Sequence, residues 1–297
     1  MRWVAKRLLE KGLRLTLGWR NRVKSGHLIL AYHNVVPDEL AGRGDRSLHL
    51  PVTRFLRQLD LLQSHCRVAP LAEILAGAAS EQRPTVAITF DDAYRGATEL
   101  ALPELARRAL PTTMFVAPGL FGSRSFWWDE MASGRVGLAP EVRKSVLERG
   151  RALNQDGSTS MPVNPGREDL PECYACADEG QVRDISDLAT VTLGAHSWSH
   201  ASLPRLDPDE LTVELSRPLE WLGSWHGATL PILAYPYGLR SAAVETAAAR
   251  AGYSAALLID GGWYTTEASR WAIPRYNVPA GLSEDGLWLR LAGVIEP

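Results

Sequence analysis

The chain has few cysteines, no long hydrophobic run and almost no net charge, and each absence excludes a class of protein. Its three cysteines are too few, and odd in number, for a disulfide-stapled secreted scaffold. No segment approaches the roughly 20 apolar residues of a transmembrane helix. A formal net charge of −2 indicates no nucleic-acid partner. The 45% hydrophobic and 22% charged residues that are present are typical of a globular protein.

Two of the cysteines, Cys173 and Cys176, have the spacing of half a zinc site or of a redox pair. A structural zinc ion needs four ligands, and the sequence has no second pair of this kind. Two ordinary loop thiols are therefore the favoured interpretation.

Charge is concentrated at the beginning of the sequence, where residues 1–24 carry eight basic side chains and one acidic one. Leucines and tryptophans are interleaved with these cations, but no apolar core or cleavage site typical of a signal peptide follows. We expect residues 1–26 to form a basic amphipathic segment that lies on an anionic membrane surface or docks on the domain. A cytoplasmic or peripheral membrane-associated location is the corresponding expectation.

The rest of the chain alternates between short β-type runs and helical patterns. Strands are predicted at residues 27–32, 85–90, 112–116, 189–193, 230–235 and 255–259. Helices are predicted at residues 52–64, 98–109, 207–225 and 241–251, the last ending at Gly252. This alternation predicts an α/β fold with a parallel sheet and outer helices, and the number of units suits a closed or nearly closed barrel over residues 27–297.

One segment, residues 123–187, interrupts the alternation and is predicted to be an insertion that contains a long loop at residues 154–180. It begins with Phe126-Trp127-Trp128-Asp129-Glu130. These aromatic residues could form a platform on which a sugar stacks, or they could cover the rim of the barrel. The sequence leaves both interpretations open.

Two carboxylates, Asp91 and Asp92, follow the predicted strand at residues 85–90. Active sites of β/α barrels lie at the carboxyl ends of the strands, so both side chains can reach one cleft there. His196 and His200 follow another predicted strand, and their i, i+4 spacing puts them on one face of a helical turn. Two imidazoles and one carboxylate make a three-ligand metal site with an open position.

Three motifs in this order resemble those of the polysaccharide deacetylase family, the NodB-homology group also called carbohydrate esterase family 4. They are Thr89-Phe90-Asp91-Asp92, His196-Ser197-Trp198-Ser199-His200 and Ala234-Tyr235-Pro236-Tyr237-Gly238. The similarity covers roughly residues 27–280 and implies a distorted, incomplete (β/α) barrel. It also implies a hydrolase that removes acetyl groups from an N-acetylated glycan.

Site residues follow from the same resemblance. Asp92, His196 and His200 would hold a divalent metal, Zn²⁺ by preference over Co²⁺, Ni²⁺ or Fe²⁺. Asp91 would be the general base that takes a proton from the attacking water. The residues that would contact the substrate or its oxyanion are Ser197, Tyr235, Pro236 and Tyr237.

The chain departs from the family pattern in two places. Ala234 replaces the arginine that usually begins the third motif, and no histidine follows His226, so the usual late general acid is absent. Tyr32-His33 and the Ala-Tyr-Pro-Tyr-Gly form of the third motif resemble a subgroup that acts on poly-N-acetylglucosamine, which implies His33 as the general acid. A buried histidine bonded to the backbone is the alternative interpretation of His33. Arg275 is the candidate partner of Asp91, with an anionic substrate or a surface ion pair as alternatives.

Remaining candidates are weaker. Trp127, Trp128 and Trp263 are candidate pocket residues, and Asp260 falls near the family's fourth motif. His27, His65 and His226 are predicted to be structural. Two competing functions stay open: O-acetyl ester hydrolysis on a glycan, and a non-catalytic carbohydrate-binding barrel.

Overall fold

The computed structural model describes residues 9–15, 26–77, 83–132, 138–149 and 170–297. The strands are β1 (His27–Tyr32), β2 (Asn34–Val36), β3 (His49–Pro51), β4 (Arg67–Val68), β5 (Thr85–Phe90), β6 (Thr112–Val116), β7 (Val191–Ala195), β8 (Thr229–Ala234), β9 (Ala255–Gly261), β10 (Trp263–Tyr264) and β11 (Ile273–Asn277). The helices are α1 (residues 9–15), α2 (Val52–His65), α3 (Leu71–Leu75), α4 (Leu102–Arg107), α5 (Trp127–Met131), α6 (Pro140–Arg149), α7 (Glu179–Ser186), α8 (Pro208–Gly223), α9 (Ala242–Ala251) and α10 (Glu284–Leu291).

Seven parallel strands form a closed barrel in the order β1, β11, β9, β8, β7, β6, β5. The barrel closes where β1 pairs with β5 along its whole length, from His27 opposite Thr85 to Tyr32 opposite Phe90. β10 pairs antiparallel with the amino end of β1, and β4 pairs with the amino end of β5. The predicted (β/α) barrel is confirmed, with seven strands in the ring.

Alternate residues of each strand face opposite sides of the barrel wall. One buried cluster contains Ile29, Ala87 and Phe115. A second cluster contains their neighbours Leu30 and Ile88, together with residues packed under the helices. Because both faces are covered, these strands read as continuous apolar runs, which is why the sequence revealed them. Asp91 has the parity of Ala87, so it continues the inner face past the end of β5.

Most predicted elements are confirmed, and the differences have local causes. The strand predicted at residues 189–193 lies at Val191–Ala195, since its pairing with β6 runs from Val191 to Ala195. The helix predicted at residues 98–109 is divided into a π-helical turn, Ala97–Ala101, and α4, which has a proline in its first turn. Gly252 ends α9 with a φ of 109°, as the prediction required.

The predicted insertion contains helices in its described parts, namely α5, α6, the turn Glu172–Tyr174 and α7. Residues 154–169 of the long loop predicted at residues 154–180 lie outside the described residues. Within the described part, Cys173 and Cys176 are free thiols, and the Cys176 thiol lies 3.5 Å from the carbonyl oxygen of Asp92.

Of the predicted basic segment, residues 9–15 and 26 are described, and residues 9–15 form α1 against α10. The Arg14 guanidinium lies 2.8 Å from Asp285, and the Ser283 hydroxyl donates to Glu10 at 2.6 Å. Leu9 and Leu15 are exposed. Contact of this segment with a membrane stays a prediction. Among the described residues, no helix is long and apolar enough to cross a bilayer.

Candidate active site

A cleft of about 310 Å³ opens at the carboxyl ends of β1, β5, β7 and β8. Backbone geometry here is unusual: five of the six described non-glycine residues with positive φ lie in the loops that follow β5, β7 and β8. They are Asp92, Ala93, Ser197, His200 and Tyr237. Positive φ is costly for residues with a Cβ and concentrates at functional sites, where the surrounding packing enforces it. These turns aim the motif side chains into the cleft.

Asp91 and Arg275 form a buried bidentate ion pair at the bottom of the cleft. The Arg275 nitrogens lie 2.8 Å and 2.6 Å from the two carboxylate oxygens of Asp91. Arg275 also donates to Thr89 at 3.2 Å and to the carbonyl oxygen of Leu258 at 2.6 Å, so four hydrogen bonds fix its guanidinium. The adjacent charge of Arg275 lowers the pKa of Asp91 despite the opposing effect of burial.

Asp92, His196 and His200 form the only group of three metal-binding side chains among the residues described. Oδ1 of Asp92 lies 3.4 Å from Nε2 of His196 and 3.2 Å from Nε2 of His200, and the two nitrogens are 3.1 Å apart. Within the described structure, Asp92 Oδ1 is buried and accepts no hydrogen bond. A tetrahedral ion with bonds of roughly 2.0–2.2 Å would hold its ligand atoms roughly 3.3–3.5 Å apart. The residues present therefore fit a divalent metal.

Different contacts orient the two histidines. Nδ1 of His196 donates to the carbonyl oxygen of Ala234 at 2.7 Å, which leaves the lone pair of Nε2 facing Asp92. His200 has no protein partner at Nδ1 among the described residues. Its ring lies instead between aromatic side chains, 4.5 Å from the Tyr237 ring and 4.9 Å from the Trp128 ring.

The loop between the two histidines is held by Glu214, a buried residue of α8. Its carboxylate accepts hydrogen bonds from the backbone N–H groups of Trp198 at 3.1 Å and Ser199 at 2.9 Å. Sequence reasoning missed Glu214, although the signal was present. Residues Leu211, Leu215, Pro218 and Leu222 form the buried stripe of α8, and a glutamate in such a stripe needs a polar partner.

His33 lies just beyond β1, half-buried, and lines the cleft together with Asp91 and Asp92. Burial lowers the pKa of His33, and the nearby Asp92 and Asp91 charges oppose this effect. An imidazole in this position can take up a proton when neutral and deliver it when protonated, and the charges of Asp91 and Asp92 favour the protonated form that acts as an acid.

The third motif forms the opposite wall. Tyr235 and Tyr237 line the cleft, whereas Pro236 is buried beneath the turn. The Tyr235 hydroxyl donates to the carbonyl oxygen of Trp271 at 3.1 Å. Ser197 is fully buried with its hydroxyl lacking a protein partner among the described residues. Ser197 and Pro236 do not line the cleft, so only the two tyrosines of this set do.

The three candidate pocket tryptophans have different positions. Trp128 lines the cleft, with its ring against His200. Trp127 is buried behind it and donates to the Tyr237 hydroxyl at 3.0 Å. Both tryptophans are at most 5% exposed, so neither offers an open platform on which a sugar could stack. Trp263 lies in β10 opposite Leu28, at the amino end of the barrel and away from the cleft.

Comparison with known proteins agrees with this geometry. Residues 78–256 match the profile of the family described as Polysaccharide deacetylase. Among curated protein sequences, none matches the chain. Solved structures share the fold. The deacetylase PplD of Streptococcus pyogenes in complex with acetate has a TM-score of 0.63 at 18% identity, covering 90% of this chain and 98% of its own.

Two further structures give similar values. IcaB from Ammonifex degensii has a TM-score of 0.58 at 18% identity, with 86% of this chain and 92% of its own covered. A de-N-acetylase from Aggregatibacter actinomycetemcomitans has a TM-score of 0.60 at 14% identity, with 88% and 98% covered. These likenesses establish the barrel, and the family profile spans more than half of the chain. The chain belongs to the polysaccharide deacetylase family and is a carbohydrate deacetylase, a hydrolase that acts on acetylated glycans.

Proposed function

We propose that the chain is a metal-dependent enzyme that removes N-acetyl groups from N-acetylhexosamine residues of a polysaccharide or lipid-linked glycan. One observation carries this proposal. The Asp92, His196 and His200 cluster, the Asp91–Arg275 pair and His33 meet in a single cleft at the carboxyl end of the barrel. Each group has a separate chemical role in hydrolysis of an amide.

Asp92, His196 and His200 are the residues that would hold the metal. A divalent ion bound there supplies Lewis acidity, which activates water and polarises the acetyl carbonyl. Zn²⁺ suits two imidazoles and one carboxylate with a position left open.

Asp91 is the general base in this proposal. Arg275 holds both of its carboxylate oxygens and lowers its pKa, so Asp91 is ionised and fixed in orientation before the substrate binds. Asp91 takes a proton from the attacking water, and Arg275 keeps the carboxylate in place while its charge changes. An arginine from β11 thus fills the place of the arginine missing at Ala234.

His33 is the general acid. The amine that leaves when the amide breaks is a poor leaving group unless it is protonated. His33 lies across the cleft from the third motif, beside the two aspartates, and can deliver that proton. The backbone N–H of Tyr237 is the donor assigned to the oxyanion that forms at the acetyl carbonyl oxygen, because the N–H groups of Gly238 and Leu239 donate within the turn.

A second depression of about 560 Å³ adjoins the cleft and shares Arg143 and Leu147 with it. Leu138, Lys144, Arg205 and Leu239 complete its cationic and apolar lining, with Glu148 as the one acid. The cleft and this adjoining depression together support a substrate that extends past one sugar. The resemblance of Tyr32-His33 and of the third motif to the poly-N-acetylglucosamine subgroup supports the N-acetylhexosamine.

The first experiment measures acetate release from N-acetylglucosamine oligomers of increasing length, with Zn²⁺ and with a chelator. We expect release that needs the metal, rises with oligomer length and is lost in Asp91→Asn and His196→Ala. His226→Ala, which changes an exposed histidine, is the matched control. Metal-independent release would contradict the proposed metal site. Release from O-acetylated glycans alone would assign ester hydrolysis.

A second experiment isolates the acid. His33→Ala should lower amide hydrolysis by about 10²-fold, the lower end of what a general acid contributes. Hydrolysis of 4-nitrophenyl acetate should fall far less, because its leaving group needs no proton. Equal losses on both substrates would remove His33 from this role.

A further inference from the structure

A chain of buried polar side chains runs through the insertion and the β2–β3 region, outside the groups that the proposed mechanism uses. At one end, His49 and Asp129 form a pair 2.7 Å apart, with both side chains fully buried. The Asn34 amide donates to the other ring nitrogen of His49 at 3.1 Å and to the carbonyl oxygen of Cys173 at 2.9 Å. His49 therefore accepts at Nδ1 and donates to Asp129 from Nε2.

Asp129 connects this pair to the cleft. Its Oδ2 accepts from the Tyr94 hydroxyl at 2.7 Å, and that hydroxyl in turn accepts from the indole N–H of Trp128 at 2.6 Å. The backbone N–H of Asp45 also donates to Asp129, at 2.7 Å. The donors converge on the Asp129 carboxylate from both ends of the chain, from Asn34 through His49 and from Trp128 through Tyr94, so a single arrangement of protons satisfies all of them.

The backbone closes tightly over the pair. A Cβ added at Gly44 would lie 2.5 Å from Asp129 Oδ1 and 3.0 Å from His49 Nε2, so only glycine lets the loop approach so closely. This closeness keeps water away from the buried carboxylate. Its negative charge is balanced by three hydrogen-bond donors.

The last member of the chain, Trp128, lies directly against His200. The ring centroids are 4.9 Å apart, and Nδ1 of His200 has no protein partner among the described residues. No hydrogen bond at Nδ1 then fixes the rotation of this imidazole. The rings of Trp128 and Tyr237 flank His200, and the indole N–H of Trp128 is held by the Tyr94 hydroxyl.

We propose that Asn34, His49, Asp129 and Tyr94 are positioning residues that hold Trp128 against His200 and so direct Nε2 of His200 toward the metal position. This inference rests on the proposed metal site. The network acts through packing on one ligand only, since His196 has its own hydrogen bond to the main chain.

The test compares two variants that each remove the acceptor of an indole N–H. Tyr94→Phe removes the acceptor of Trp128, whereas Ser186→Ala removes the acceptor of Trp225, which lies 2.9 Å from Ser186 Oγ and far from the cleft. Zn²⁺ affinity of the metal-free full chain is measured by competition with a chromophoric chelator. Thermal unfolding of the metal-free protein is recorded in parallel.

We expect Tyr94→Phe to bind Zn²⁺ about tenfold or more weakly, the loss typical when groups that orient a metal ligand are removed. Ser186→Ala should keep wild-type affinity. Asp129→Asn should weaken binding in the same direction, and a Co²⁺-loaded Tyr94→Phe protein should show an altered visible spectrum because the ligand field changes.

Wild-type Zn²⁺ affinity in a folded Tyr94→Phe protein would overturn the inference and leave the proposed function intact. Equal weakening by Ser186→Ala would overturn it as well, because the loss would then follow general destabilisation. Failure of the wild-type chain to bind Zn²⁺ or Co²⁺ would overturn both the metal site and the positioning role.

Discussion

The two histidines of the candidate metal site both lie beside Asp92 but have different supports. His196 donates to a carbonyl oxygen of β8, a barrel strand, so its orientation is set by the main chain. His200 lies among the rings of Tyr237, Trp128 and His196, and hydrogen-bonded side chains hold Trp128 in turn. The main chain therefore orients His196, whereas side chains orient His200, and one of these, Trp128, belongs to the insertion.

This difference determines which changes the site can tolerate. A backbone carbonyl remains in place whatever residue stands at position 234, so the support of His196 resists substitution. The support of His200 can be weakened by single changes in several side chains. We expect substitutions in the side chains that support His200 to alter the affinity for the metal without disrupting the barrel.

The largest effect should come from removing either ligand. His196→Ala and His200→Ala should each lower acetate release at saturating Zn²⁺ by about 10³-fold, because the metal supplies several kcal/mol of transition-state stabilisation. The two losses should be equal, whatever the difference in support. Activity of either variant within tenfold of wild type would show that the remaining two ligands suffice.

The next largest effect concerns Asp91, which is also oriented by a side chain from a distant part of the sequence. Arg275→Met should destabilise the fold by about 3–5 kcal/mol, because it leaves a buried carboxylate without its partner. Chemical denaturation measures this directly. The double variant Asp91→Asn, Arg275→Met removes both charges and should recover much of the stability while remaining inactive. No recovery would mean that Arg275 stabilises through Thr89 and Leu258 instead.

A smaller effect should follow from removing one ring beside His200. Tyr237→Leu should weaken Zn²⁺ binding by about tenfold, since the edge-to-face contact at 4.5 Å is lost while His196 keeps its hydrogen bond. Calorimetric titration of the metal-free protein measures the change. Unchanged Zn²⁺ affinity would show that the Tyr237 ring does not support His200, so the two histidines would not differ in this respect.

The smallest effect should come from Tyr237→Phe, which keeps the ring and removes only the hydroxyl that accepts from Trp127. We expect about 1 kcal/mol of lost stability, the usual value of one hydrogen bond, and less than about a threefold change in kcat/KM. A roughly tenfold fall in kcat/KM, as large as the loss of Zn²⁺ affinity expected for Tyr237→Leu, would show that the hydroxyl itself contributes to the reaction.

The barrel and the motif residues were predictable because their signals are local. Buried parallel strands read as apolar runs, and Asp91, Asp92, His196 and His200 each follow such a run directly. Strand β11 was missed because Pro274 and Arg275 interrupt its apolar run, although Arg275 was singled out. The pairing of Arg275 with Asp91 depends on closure of the barrel, which no local sequence pattern encodes.

The network behind His200 could not be predicted for a different reason. His49 and Asp129 are 80 positions apart, and their pairing is settled by how the insertion packs. The run Phe126-Trp127-Trp128-Asp129-Glu130 drew attention to its aromatic rings. Its informative residue was Asp129, an acid within an apolar run that requires buried partners.

The closure of the barrel by β1 and β11 has a consequence for how the protein is made. During synthesis the candidate metal ligands Asp92, His196 and His200 leave the ribosome well before Arg275 does. A nascent chain that ends before residue 273 lacks both the partner of Asp91 and the strand between β1 and β9. Contacts of such long sequence separation form late in folding. Hydrolytic activity should therefore appear only after residues 273–277 have left the ribosome and joined the barrel.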